Sequence, residues 1–109
     1  MNQNTDATKP QDTEVSPQKQ LAILLSIQGG LTNGITTQRC LSQIAKVSPI
    51  GNWESASSEY EMSSSLPRAL LCSGAFCSDV QLLLGFLDGP QINPHQQLAP
   101  AIEYLKAIL

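Results

Sequence analysis

Apolar positions along this chain recur mostly at helical spacing, and capping residues punctuate them. Ser16-Pro17 opens the first such segment, because Ser can cap a helix and Pro fits the first turn, where its missing N–H is not needed. The pattern predicts a helix from 17 to about 28 that stops at Gly29-Gly30. Leu21, Leu24 and Leu25 share one side of it, Ile23 and Ile27 lie nearly opposite, and only a narrow arc around Lys19 and Ser26 is polar. A helix apolar on most of its circumference is buried centrally or covered by a partner. After an Asn33-Gly34 turn, Thr36 or Thr37 caps a second helix running through Val47. It has Cys40, Leu41, Ile44 and Ala45 on one stripe and Arg39, Gln43 and Lys46 outside it. Ser48-Pro49 and Gly51 end that helix.

Residues 52–65 are Ser-rich. Trp53, Ala56 and Tyr60 align on a helix face, which favours a short, weak helix over a loop anchored by Trp53. Ser65-Leu66-Pro67 opens another capped helix, with Ala69, Leu70, Leu71 and Cys72 continuing to Gly74; an apolar run this short also suits a buried strand. Ser78-Asp79 caps a helix carrying Val80, Leu82, Leu83, Phe86 and Leu87, stopped by Asp88-Gly89-Pro90. Asn93-Pro94 starts the last helix, whose broad face is Leu98, Ala101, Ile102, Leu105, Ile108 and Leu109. Pro100 must kink it or open its main portion. The expected fold class is all-α: five or six short helices forming stacked helical hairpins, 17–109, behind a disordered polar tail, 1–16. The tail's only apolar side chains are Met1, Ala7 and Val15, too few to offset the entropy of ordering it.

Charge changes this picture in two ways. Only five of the last 46 residues are charged: Arg68, Asp79, Asp88, Glu103 and Lys106. A small domain needs a charged surface to stay soluble, so part of this half is expected to be covered by another protein. Elsewhere, Lys19, Arg39 and Lys46 make residues 17–47 locally basic with no acid among them, and Glu54, Glu59 and Glu61 follow as an acidic stretch. The formal net charge of -3 argues against a protein that holds nucleic acid mainly by neutralising phosphates.

Candidate chemistry adds little. Three cysteines, an odd number, argue against a disulfide framework. Cys72 and Cys77 do not have zinc-site spacing, Cys40 lies far upstream, and His95 is the sole histidine. The thiols are expected to be free and mostly buried as small hydrophobes. No nucleophile–base pair, paired carboxylates or phosphate loop appears, so no enzyme, metal or cofactor is expected. There is no classical secretory signal, and the longest apolar runs are too short to span a bilayer. A cytoplasmic protein is expected.

Three function classes follow, the last and least expected an enzyme that uses Cys72 or Cys77. The first is a small adaptor or chaperone holding a partner helix or peptide, or a second copy, in an apolar groove between helices. Its candidate partner-binding residues are Leu98, Ile102, Leu105 and Leu109 on the last helix, with Ile23, Ile27, Leu83 and Leu87 on the first and fifth. The alternative is a helix-turn-helix DNA-binding regulator built from residues 36–60, in which Arg39 and Lys46 meet phosphates but the acids at 54, 59 and 61 face the groove. Size, acidity, the leucine-rich first helix (21–27), the Cys-bearing second helix and the capped hairpins together resemble the small helical-hairpin chaperones of bacterial type III secretion, which are similar to tetratricopeptide repeats. Leu84-Gly85 fits the repeat signature, but Asp88 and Gln97 stand where Tyr and Ala belong. The resemblance therefore implies a class of fold and a chaperone-like role, and no site residues.

Overall fold

A computed structural model describes residues 15–48, 51–88 and 92–109. Among these there are six helices and no strand: α1 (Pro17–Thr32), α2 (Thr37–Val47), α3 (Trp53–Ser63), α4 (Leu66–Ser73), α5 (Ser78–Phe86) and α6 (Pro94–Ile108). The all-α architecture of stacked hairpins is as the spacing predicts. Each helix packs on the next, and α6 closes the stack by returning onto α1.

The starts are set by local chemistry. Ser16 Oγ accepts from the Lys19 N–H at 3.3 Å, Thr36 Oγ1 from Arg39 at 3.3 Å, Asn52 Oδ1 from Ser55 at 3.1 Å, Ser65 Oγ from Arg68 at 3.2 Å and Asn93 Oδ1 from Gln96 at 2.9 Å. Each bond satisfies one of the N–H groups that a helix start leaves unpaired. The start of α5 differs. Cys77 holds the cap position without a side-chain cap bond, and its own N–H donates to Gln20 Oε1 of α1 at 3.2 Å.

Several expectations are corrected. Gly29-Gly30 does not stop α1, which continues to Thr32. A Cβ at Gly30 would lie 2.6 Å from Cys40 Sγ, so this glycine lets α2 approach the α1 backbone and is not a terminator. The helix favoured over a loop for residues 52–65 is present at 53–63, with Trp53 and Ala56 buried; Gly51 beside it, with a φ of +93° and a close approach to Trp53, Ala75 and the Ser73 carbonyl, has no room for a side chain. The segment at 66–73 is the helix that its Ser65-Leu66-Pro67 start predicts, so here it is only the strand alternative that falls. Pro100 does not open the main portion of the last helix but lies inside one that starts at Pro94 and runs to Ile108. Val15 is buried and Ser16 caps α1, so these two residues belong to the fold, not to the tail; the rest of the expected tail, 1–14, lies outside the described residues.

The core runs along α1 and α6. Leu24 and Ile27 belong to one buried cluster with Leu41, Leu70, Leu84, Leu98 and Leu105. Two buried glutamines serve as struts. Gln20 Nε2 donates to the Val15 carbonyl at 2.7 Å while its Oε1 caps Cys77, and Gln97 Nε2 donates to the Leu87 carbonyl at 3.1 Å. Buried polar groups satisfied in this way fix the register of the helices they join.

Candidate functional site

Five of the eight residues expected to contact a partner are structural. Ile23, Ile27, Leu98, Ile102 and Leu105 are buried in the core, because the stripe on α6 docks on α1 and the two faces consume each other. Leu83 and Leu87 are half-buried. Only Leu109, 55% exposed, is open. The large apolar side chains that do meet water are others: Phe86 at 82%, Val47 at 80%, Met62 at 79% and Leu82 at 66%. On α5 the expectation misses by one position, a rotation of about 100°. Val80 and Leu84 face inward, so the outward row is Leu82 and Phe86. The legible signal was the excess of apolar residues on a nine-residue helix, more than one face can bury.

A groove of about 400 Å³ opens between α1 and α2, lined by Ser26, Cys40, Gln43, Ile44, Lys46 and Val47. Cys40 and Ile44 are buried at its floor and Val47 stands exposed at its rim. The floor is apolar because positions 40 and 44, one turn apart on α2, face α1. Burial pushes the Cys40 thiol above its ordinary value, and its Sγ lies 3.9 Å from the Ile27 carbonyl, a weak donor contact. This thiol is therefore neutral, apolar lining. Arg39, Gln43 and Lys46 recur along the exposed side of α2 at i, i+4 and i+7, so the rim is basic.

Three charged groups, Arg68, Asp79 and Asp88, link helices. Asp88, at the end of α5, accepts from Ser65 Oγ at 2.6 Å and from Arg68 Nε at 2.8 Å. The Ser65 hydroxyl and the Arg68 guanidinium hold its carboxyl below the ordinary range. Tyr104 of α6 donates its hydroxyl to Asp79 of α5 at 2.8 Å, which raises the phenol. Cys72 is exposed and Cys77 half-buried, which corrects the expectation of mostly buried thiols; only Cys40 is enclosed. Among the described residues, no group of three or more His, Cys, Asp or Glu side chains could hold a metal ion, and no helix is long and apolar enough to cross a membrane. His95 is exposed in the first turn of α6.

Helices α2 and α3 supply the pair that a helix-turn-helix requires, although part of their connection, 49–50, lies outside the described residues. In the recognition position, α3 carries Glu54, Glu59 and Glu61 and no basic residue. A duplex groove would repel that helix.

No protein-family model, curated protein or solved structure matches this chain. The resemblance to type III secretion chaperones therefore has no counterpart in these comparisons.

Proposed function

We propose that the protein is a non-enzymatic interaction module, an adaptor or chaperone that holds a partner's helix or peptide in the α1–α2 groove. The observation that carries this reading is the open groove of about 400 Å³ with Cys40 and Ile44 at its floor and the bare Val47 beside it. Grooves with an apolar floor and a polar rim receive the apolar face of a helix or alternate side chains of a strand. The Leu82 and Phe86 row on α5 is a second apolar surface, and large exposed apolar side chains grouped together mark interaction sites. Three free cysteines support a reducing, cytoplasmic setting. The DNA-binding alternative is disfavoured by the acids of α3.

The test is photo-cross-linking in the native source from a reactive residue placed at position 47, with position 18, exposed on α1 away from the groove lining, as the control. Adducts to one defined segment are expected from 47 and not from 18, and Ile44→Ser should reduce them. No adduct from 47, or equal adducts from both positions, would remove the groove as a site. Salt-dependent retention on DNA would reinstate the alternative.

A further inference from the structure

We infer that the segment held in the α1–α2 groove is α3 of a second copy of this chain. The inference rests on the groove reading and names its occupant. Charge is divided between neighbouring elements. Among the described residues 15–48, the charged side chains are Lys19, Arg39 and Lys46, all exposed and all basic; on α3 they are Glu54, Glu59 and Glu61, all acidic. Lys46, Glu54 and Glu61 have no ion-pair partner among the described residues.

Each face also carries an uncovered apolar side chain beside its charge. On α2, Val47 follows the row of Arg39, Gln43 and Lys46. On α3, Glu54, Ser58, Glu61 and Met62 recur at i, i+4, i+7 and i+8, and all are exposed. Met62 at 79% exposure is the knob of that row. An unbranched thioether adapts to an irregular groove, and one with a Cys and an Ile at its floor suits it. The proposed docking seats Met62 there and sets Glu61 and Glu54, on the same exposed row, against the basic row of the other copy's α2; within one chain Lys46 and Glu54 line a shared cleft between α2 and α3 without forming an ion pair.

The two surfaces belong to neighbouring helices, since α2 packs on α3. A two-fold axis beside that pair lets each copy give one Met62 and receive the other, the self-complementary arrangement of most soluble dimers. The α5 row names no occupant in the same way, since the acids near it are already engaged, Asp79 by Tyr104 and Asp88 by Ser65 and Arg68.

The experiment is sedimentation equilibrium of the full chain over a wide concentration range, with Lys46→Glu, Glu61→Lys and Met62→Ser. All three positions are exposed, and circular dichroism checks that each variant keeps its helicity. The expected mass rises from one chain to two. Each charge reversal should weaken association by about tenfold or more, since like charges then face each other. Mixing Lys46→Glu with Glu61→Lys should restore it, because the mixed dimer contains one reversed pair and one native pair. A single-chain mass at every concentration overturns the inference, as does self-association that none of the three variants changes. If the cross-link from position 47 lands on a different protein while the chain stays single, the second copy is ruled out and the interaction reading stands. If position 47 captures nothing, this chain included, both fall.

Discussion

Gly29 and Gly30 are adjacent in sequence and identical in composition, yet they do opposite things. Nothing lies within 4 Å of a Cβ built at Gly29, whereas one at Gly30 meets Cys40 Sγ at 2.6 Å. Gly29→Ala should therefore stabilise the protein by about 0.5–1 kcal/mol, the helix-propensity difference. Gly30→Ala should destabilise it, since overpacking a tight contact costs roughly 1–3 kcal/mol and outweighs the propensity gain. In a Cys40→Ala background the Gly30→Ala penalty should shrink or vanish, because the sulfur is the one atom in severe conflict. Urea unfolding of the four variants measures the cycle. A Gly30→Ala penalty unchanged by Cys40→Ala would show that the backbone, and not the thiol, sets the constraint. Sequence alone reads Gly-Gly as a stop because the stop requires only local geometry. The close approach of a residue ten positions away has no local signature.

At the scale of elements, starts were more legible than faces. Ser16, Thr36, Ser65 and Asn93 cap the helices that their spacing predicts, because a cap is a contact across three residues. The α5 start falls where Ser78-Asp79 predicts it, but the cap position is Cys77, whose N–H is held by Gln20, fifty-seven positions away. The clasp between α4 and α5 is also non-local, and it makes acid stability a test. Asp88 has a folded-state value below the ordinary 3.8, so the unfolded chain takes up its proton first as pH falls. The clasp's contribution is present above the ordinary aspartate value and is lost as pH drops through the lowered folded one. Solvent reaches this pair, with Arg68 60% exposed, so the effect is modest. Asp88→Asn should lower stability at pH 7 and converge with the wild type as the pH falls below the ordinary aspartate value in urea unfolding. A difference that stayed constant across that range would mean that the Asp88 charge is not what links the helices.

At the scale of the molecule, the scarcity of charge in residues 64–109 invited an inference that was half internal. Much of that apolar surface is spent where α6 closes onto α1, and a sequence read one helix at a time cannot tell a face covered by a partner from a face covered by its own chain. Leu98, Ile102 and Leu105 went to the core; Leu82 and Phe86, on the neighbouring helix, did not. The two sets respond differently to substitution. Ile102→Asp with Leu105→Asp puts two carboxylates into the α1–α6 layer. Each costs several kcal/mol without a partner, and domains of this size hold only about 5–15 kcal/mol in total. That variant should lose cooperative unfolding and most of its helicity. Leu82→Ser with Phe86→Ser removes only side chains that already face water, and such changes lie within about 0.5 kcal/mol each. Its melting temperature should stay within a few degrees of the wild type, at roughly 4–8 °C per kcal/mol for a domain of this size. Circular dichroism melts of both variants decide the matter. A folded, cooperative Ile102→Asp, Leu105→Asp chain would show that α6 is not what closes the stack. A Leu82→Ser, Phe86→Ser chain that unfolds early would show that the α5 row is part of the fold, and not a surface free to meet another molecule.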